Sequence, residues 1–318
     1  MRKTTVVWIC VAMILILFGC FIFGGVMTVL KWDFKKLSTS TFETNNYVLD
    51  EEFKSIFIDT NVADITFVPS ENTEIVCYEQ QNLKHSVSVK DGYLVIEVND
   101  SRKWYDYFIS LRSPKITLYL PQGSYSELKV NGDTGAVSVP KEFSFESVDI
   151  SVSTGFVSNF ASASGNIKIK TSTGNVLVEN VRSKNLEVFV TTGKAVVASV
   201  DCEDLVDVRV STGDADISDV TCQSFKSEGA TGDIFLKNTV ATADLSVNRS
   251  TGDVKFERCD ASEIFVKTNT GSVTGTFLTD KIFIAKSDTG KVQVPSSVSG
   301  GKCEISTNTG EVKISIED

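Results

Sequence analysis

Residues 191–217 read TTGKAVVASVDCEDLVDVRVSTGDADI, and this stretch contains one complete repeat of the chain. A Thr-Gly pair stands near each end, and the two glycines, Gly193 and Gly213, are 20 positions apart. Between them, apolar residues alternate with polar ones, which is typical of β-strands that bury one side. The stretch therefore predicts short strands joined by turns, with an apolar side that a single repeat cannot bury alone.

From Thr134 onward, the Thr-Gly pair recurs along the chain at a nearly constant interval. Ten pairs are separated by 19 or 20 residues, and they use ten of the chain's 21 glycines. A valine, alanine or isoleucine stands two positions after each of these glycines. A constant interval of this length is typical of architectures in which neighbouring repeats stack. The ten glycines are Gly135, Gly155, Gly174, Gly193, Gly213, Gly232, Gly252, Gly271, Gly290 and Gly310.

Stacking these repeats along an axis would pair each strand with its copy in the next repeat and bury one continuous core. We therefore predict an all-β fold, a single-chain parallel β-solenoid with coils of 19–20 residues. We expect it to be right-handed, as parallel crossovers usually are. Proline would break such ladders, and none occurs between Lys141 and Val294. A β-propeller is the alternative, but its blades would need a period of about 40 residues.

The N-terminal residues 4–30 form an uncharged, strongly apolar run that predicts one transmembrane helix. We assign residues 1–3 to a cytoplasmic tail and residues 31–45 to a linker. Arg2 and Lys3 precede the run and three lysines follow it, so the positive-inside signal is weak. Because the run resembles an uncleaved signal anchor, we predict a single-pass protein of the cell membrane whose C-terminal domain is extracytoplasmic.

Two other interpretations of this run stay open. A cleaved signal peptide would have a shorter apolar core and small residues at its cleavage site. A lipoprotein would be processed before Cys20. Against that, Phe18 is bulky where a small residue is expected, and the apolar run continues beyond Cys20.

The chain beyond the linker divides into two regions. Residues 46–130 alternate as strands do but lack the constant interval, and we predict that they form irregular capping coils. Such coils would cover strand edges that the end of a solenoid otherwise exposes. Within this region, Asp91 and Gly92 predict a hairpin turn. Residues 131–318 hold the regular solenoid repeats.

Composition excludes several classes of function. Among 318 residues, 31 Lys+Arg stand against 41 Asp+Glu, and the net charge of −10 argues against nucleic acid as the partner. The chain has a single histidine, His85, which argues against histidine metal sites and against Ser-His-Asp or Cys-His catalysis.

The cysteines predict neither a disulfide framework nor a zinc site. Five of the seven lie beyond the apolar run, and no two of them form a CxxC pair. Cys202 and Cys222 each stand nine residues after a Thr-Gly glycine, so stacking would bring them within disulfide reach. We expect them to be free, buried thiols.

One candidate site is the column of residues directly after the Thr-Gly glycines. Asp214, Asp233 and Asp253 occupy this position in three successive repeats, so stacking would place their carboxylates about 4.8 Å apart. Carboxylates that close repel one another or recruit a cation, and Ca²⁺ suits an all-oxygen site. The alternative is a solvated ladder without a metal. A glycosidase pair is disfavoured, because stacked identical groups do not provide distinct acid and nucleophile roles.

A second candidate site is the aromatic cluster of Trp104, Tyr105, Tyr107 and Phe108. Aromatic side chains in a loop can stack on sugars or anchor a partner protein. Alternatively, these rings fold over the N-terminal end of the core.

From roughly residue 53 to residue 318 the sequence resembles the bacterial "putative adhesin" family of β-strand repeats. Alanine and aspartate replace the usual Ser or Thr at positions 230 and 288. The resemblance implies an extracytoplasmic envelope protein, often membrane-anchored and common in Gram-positive bacteria, and it supplies no catalytic residues. The segments that carry it are Ile56-Phe57-Ile58-Asp59 with Ala63-Asp64-Ile65, Asp91-Gly92-Tyr93-Leu94-Val95-Ile96, Lys103-Trp104-Tyr105-Asp106-Tyr107-Phe108, Lys115-Ile116-Thr117-Leu118-Tyr119-Leu120-Pro121, and the Thr-Gly repeats.

Together these features predict a cell-envelope interaction or scaffolding module without catalytic activity and without a cofactor, apart from the Ca²⁺ considered above. Its expected partners are the lipid bilayer, through residues 4–30, and either a cell-wall polymer or another envelope protein. The alternatives are a polysaccharide-active β-helix enzyme and an accessory protein in envelope-stress sensing.

Overall fold

The computed structural model describes residues 3–33, 41–101 and 113–317. Within these residues it contains one helix and 28 β-strands. The strands wind into a parallel β-solenoid of about ten turns, so the predicted fold class is confirmed.

The helix α1 (Lys3–Val29) contains the apolar run recognised in the sequence. Its 27 residues rise about 40 Å. Most of its large apolar side chains are exposed, with Trp8, Leu17 and Phe21 among them. By length and composition it fits a single-pass membrane anchor or a signal sequence.

The strands fall into three groups along the chain. The N-terminal group comprises β1 (Phe42–Val48), β2 (Ser55–Val62), β3 (Asp64–Pro69), β4 (Glu74–Gln80), β5 (Leu83–Lys90), β6 (Tyr93–Asp100) and β7 (Lys115–Leu120). The repeat group comprises β8 (Gly123–Thr134), β9 (Val137–Val139), β10 (Phe143–Thr154), β11 (Val157–Asn159), β12 (Ser162–Ala163), β13 (Asn166–Thr173), β14 (Val176–Ser183), β15 (Asn185–Thr192), β16 (Ala195–Cys202), β17 (Leu205–Thr212), β18 (Ala215–Cys222), β19 (Ser224–Thr231), β20 (Ile234–Ala241), β21 (Asp244–Thr251), β22 (Val254–Cys259), β23 (Glu263–Thr270) and β24 (Val273–Phe277). The C-terminal group comprises β25 (Lys281–Ser287), β26 (Val292–Gln293), β27 (Gly301–Thr309) and β28 (Val312–Ile316).

Two ladders run the length of the solenoid. The first has the order β5-β6-β2-β8-β10-β13-β15-β17-β19-β21-β23-β27-β25. The second has the order β1-β4-β7-β3-β9-β11-β14-β16-β18-β20-β22-β24-β28-β26. Equivalent residues of neighbouring repeats are in register, so Thr192 pairs with both Thr173 and Thr212.

The core consists of stacked columns of small and branched apolar side chains. The column five residues before the glycine of each Thr-Gly pair, here called the corner glycine, includes Val188, Val208 and Val247. The column two residues after the corner glycine includes Ala195 and Ala215. All five side chains are buried. Because a residue in a column contacts its equivalents in both neighbouring coils, the core continues from coil to coil.

Five strands of the second ladder each bend at one residue in the left-handed conformation. These strands are β14, β16, β18, β20 and β22. In each of them, this residue lies six positions after the glycine of the Thr-Gly pair, and its φ lies between 45° and 57°. The strand alternation did not predict the bend, because ordinary polar residues occupy the column rather than glycine. The bent residues are Asn180, Ser199, Asp219, Asn238 and Arg258.

The N-terminal group covers its end of the solenoid with antiparallel strands. β4 runs antiparallel to β7, β1 to β4, and β5 to β6. Asp91 and Gly92 form the turn between β5 and β6, with φ of 51° and 78°, and the predicted hairpin is confirmed. Two strands of the region predicted as capping coils, β4 and β5, thus leave the parallel winding, and β1, which pairs with β4, begins before that region. Alternation could not reveal this, because it is the same in both strand directions.

The order of coils reverses at both ends of the solenoid. At the C-terminal end, β27 lies between β23 and β25, and β28 lies between β24 and β26. Residues 295–300 lead from the outermost coil back into the stack. At the N-terminal end, β2 lies between β6 and β8. The constant interval predicts coils in chain order, and the structure departs from that order only at these ends of the described chain.

Candidate functional site

The Thr-Gly pairs form a corner at which the backbones of neighbouring coils come very close. A Cβ atom added to Gly213 would lie 1.9 Å from the carbonyl oxygen of Gly193, and the φ of Gly213 is +125°. The N–H of Gly193 donates to the carbonyl of Thr212 over 2.9 Å. Glycine is required here both by the backbone conformation and by the approach of the next coil, so the repeated pair has a structural role.

The residue after each corner glycine forms a ladder of side-chain-to-backbone hydrogen bonds. The N–H of Asp233 donates to Oδ1 of Asp214 over 2.9 Å, and the N–H of Asp253 donates to Oδ1 of Asp233 over 2.7 Å. Oδ1 of Asp253 accepts from the N–H of Ser272 over 2.7 Å. All three carboxylates are exposed. One oxygen of each therefore connects two coils, and binding of Ca²⁺ by the column stays a prediction.

Replacing Asp233 with alanine should destabilise the solenoid by about 1 kcal/mol, because the N–H of Asp253 loses its acceptor. Asp233→Asn should be nearly neutral, because the amide oxygen can still accept that bond.

Thermal unfolding measured with and without millimolar Ca²⁺ tests the metal prediction. Ca²⁺ binding would raise the melting temperature of the wild type but not that of the Asp214→Asn/Asp233→Asn/Asp253→Asn variant. If Ca²⁺ leaves the melting temperature of both proteins unchanged, the prediction that the Asp column binds Ca²⁺ is rejected.

A second group of reactive side chains lies inside the antiparallel N-terminal group. Cys77 and Glu79 on β4 and His85 on β5 are all buried, and their potential ligand atoms lie within 4.8 Å of one another. As the single histidine of the chain, His85 is not expected from composition to belong to a reactive site. The three residues meet at the turn between β4 and β5, where Gln80 pairs with Leu83, and no alternation in the sequence indicates this contact.

Hydrogen bonds account for most of the polar atoms of this cluster. Oε2 of Glu79 accepts from the backbone N–H of His85 and bonds Nδ1 of its ring, each over 2.7 Å, and Oε1 accepts from Asn45 Nδ2 over 2.7 Å. Nε2 of His85 lies 2.8 Å from Oγ1 of Thr60.

Thiol, carboxylate and imidazole are all zinc ligands. Both carboxyl oxygens of Glu79 and both ring nitrogens of His85 already have hydrogen-bond partners within the protein, and burial raises the pKa of the metal-free Cys77 thiol to about 12. We therefore interpret the cluster as a buried hydrogen-bonded support for the antiparallel strands β1, β4 and β5, which we call the cap.

The remaining predicted sites have different outcomes. Trp104, Tyr105, Tyr107 and Phe108 lie outside the described residues, so their role stays a prediction. Cys202 and Cys222 are both buried, and all seven cysteines of the chain are free thiols in the structure.

The buried thiols make stability depend on alkaline pH. Burial raises the pKa of Cys77, Cys222 and Cys303 from the ordinary value of 9.0 to about 12. Between these values the unfolded chain loses thiol protons that the folded chain keeps, so stability should fall as pH rises above 9. Each such thiol contributes a slope of about 1.4 kcal/mol per pH unit.

Urea unfolding at a series of pH values between 8 and 11 would measure this slope. A Cys77→Ala/Cys303→Ala variant should show a shallower fall than the wild type. The same slope in both proteins would contradict the assignment.

The family model described as Toastrack DUF4097 matches residues 53–241, more than half of the chain. None of the curated proteins matches the sequence.

Several solved structures are similar in fold. A crystal structure described as a "putative adhesin" from Parabacteroides distasonis has a TM-score of 0.51 at 13% identity, covering 76% of this chain and 98% of that one. A "putative adhesin" from Parabacteroides merdae has a TM-score of 0.47 at 14% identity, with coverages of 76% and 98%. A "putative lipid binding protein" from P. distasonis has a TM-score of 0.42 at 18% identity, also with coverages of 76% and 98%.

Proposed function

The chain belongs to the Toastrack DUF4097 family, and from this membership we propose that it is a membrane-anchored, extracytoplasmic, adhesin-like interaction module without catalytic activity. The similar fold of a structure described as a "putative adhesin" supports the adhesin-like part of the proposal.

The observation that carries the proposal is the combination of α1 with a rigid solenoid. The helix leaves its apolar side chains exposed, which is costly in water and favourable in a bilayer. The solenoid that follows holds its shape through continuous ladders and a continuous core. A stiff body attached to a membrane suits the presentation of a binding surface to another component of the envelope.

The net charge of residues 41–318, the body of the protein beyond the membrane helix, restricts the partners that it can bind. Residues 1–40 contain five of the 31 Lys+Arg and one of the 41 Asp+Glu, so the rest carries 26 against 40, a net charge of −14. Such a surface repels polyanions and favours partners that present positive charge.

Cysteine labelling of intact cells tests the proposed topology. Val298 is 97% exposed, so a membrane-impermeant maleimide should label a Val298→Cys variant from outside the cell. The wild type is a matched control, because its five cysteines beyond α1 are all buried, and Cys10 and Cys20 lie within α1, the proposed membrane span. Labelling of the variant only after lysis would place the solenoid inside the cell and overturn the proposal.

A further inference from the structure

An open groove of about 800 Å³ lies at the N-terminal end of the solenoid. It is formed where β2, β6 and β8 begin, and most of its lining comes from residues 49–55, 91–93 and 121–125. No residue of the Asp column or of the buried Cys77 cluster lines it.

The walls of the groove are held in place by hydrogen bonds within the protein. The N–H of Lys54 donates to the carbonyl of Gly92 over 3.0 Å, and the N–H of Ser126 donates to the carbonyl of Lys54 over 2.7 Å. The hydroxyl of Tyr125 donates to the carbonyl of Pro121 over 2.8 Å. These bonds connect the three lining segments, so the groove is preformed and a ligand would lose little affinity to ordering it.

Aromatic rings form part of the lining. Phe53 stacks on Tyr125 with ring centroids 6.1 Å apart and an interplanar angle of 23°. Tyr125 in turn contacts Phe145 of the core, at a centroid distance of 5.9 Å. Tyr93 is 38% exposed, and its hydroxyl donates to Glu127 over 3.0 Å. These contacts fix the rings, and a fixed ring face attracts a cation.

Carboxylates dominate the charge around these rings. The lining contains four exposed acidic residues against a single basic one, Lys54. Within the described residues, none of the four carboxylates forms an ion pair. Ionised carboxylates only accept hydrogen bonds, so together they favour a ligand that brings donors and positive charge. The four acidic residues are Asp50, Glu51, Glu52 and Asp91.

We propose that this groove binds a lysine- or arginine-bearing segment of a partner protein, with the cationic side chain among the rings and the carboxylates. The inference rests on the proposed interaction function and specifies the chemistry of the partner. A neutral sugar is favoured less, because one face of Phe53 is already covered by Tyr125 and four of the five charged residues of the lining are carboxylates.

Fluorescence anisotropy with the full chain in a non-ionic detergent tests this proposal. The probe is a labelled hexalysine peptide, and the same peptide with acetylated lysines is its uncharged counterpart. We expect the Glu51→Gln/Glu52→Gln variant to bind hexalysine about tenfold more weakly than the wild type. Phe53→Leu should also weaken binding, and the acetylated peptide should not bind.

The matched control is Glu146→Gln/Glu203→Gln, which removes two exposed carboxylates outside the groove. It should change hexalysine affinity less than twofold. Equal weakening by both double variants would show non-specific attraction to the acidic body and overturn the proposal. Binding of a neutral N-acetylglucosamine tetramer that competes with hexalysine in the groove would also overturn it.

The assay uses purified protein, so its outcome does not depend on membrane topology. If Val298→Cys is not labelled from outside the cell, the extracytoplasmic placement is rejected, but hexalysine binding to the groove can still be measured. Failure of the peptide assay would reject the cationic partner alone.

Discussion

A Gly271→Ala variant should lose about 3 kcal/mol or more of stability, with a melting temperature lower by roughly 6–12 °C. Two costs combine at this corner. Gly271 has a φ of +152°, and an added Cβ would lie 1.9 Å from the carbonyl oxygen of Gly252. That oxygen belongs to the backbone of a neighbouring coil and cannot move without disturbing the ladder. Thermal unfolding followed by circular dichroism would measure the loss.

Gly123→Ala separates the two costs. Gly123 has the same φ of +152°, but nothing lies within 4 Å of the position of an added Cβ. This variant therefore carries only the backbone penalty, about 1–3 kcal/mol. Equal destabilisation of the two variants would show that close stacking of the corners contributes nothing.

A Glu79→Ala variant should be destabilised by about 3–5 kcal/mol, because it removes a buried carboxyl group from a network of several hydrogen bonds. The side chain of Glu79 is fully buried and accepts the backbone N–H of His85, a bond from its ring and the amide of Asn45. Alanine would leave these donors buried without an acceptor. The cap would then loosen and expose the edges of β6 and β7, so size-exclusion chromatography should detect association alongside the lower melting temperature.

The control for this variant is Glu187→Ala. The carboxylate of Glu187 lies 3.6 Å from the Nζ of Lys168, and both side chains are 37% exposed. An exposed pair contributes no more than about 1 kcal/mol, so this variant should unfold close to the wild type. If Glu79→Ala is no less stable than Glu187→Ala, the buried cluster does not support the cap.

The solenoid could be predicted from the sequence because stacking imposes the same requirement on every coil. A corner backbone that approaches its neighbour as closely as Gly193 and Gly213 do leaves no room for a side chain, so the glycine recurs at each turn. Burial between two coils likewise selects apolar residues at fixed offsets from that glycine.

The features that escaped prediction do not repeat. The antiparallel direction of β4 and β5 leaves the same alternation as a parallel strand would, so the meeting of Cys77, Glu79 and His85 depends on one hairpin. The reversed coil order at the C-terminal end leaves the Thr-Gly interval unchanged. The groove is formed by segments some 30 to 70 residues apart in the chain, which no local pattern connects.

The reversed order of the terminal coils restricts how such a chain can lengthen in evolution. A repeat duplicated after Ile316 would find β27 and β28 already paired on both edges. A repeat duplicated between β14 and β22 would instead meet neighbours equivalent to its parent on either side. The pairing therefore favours gain or loss of units in the interior of the array over addition after Ile316.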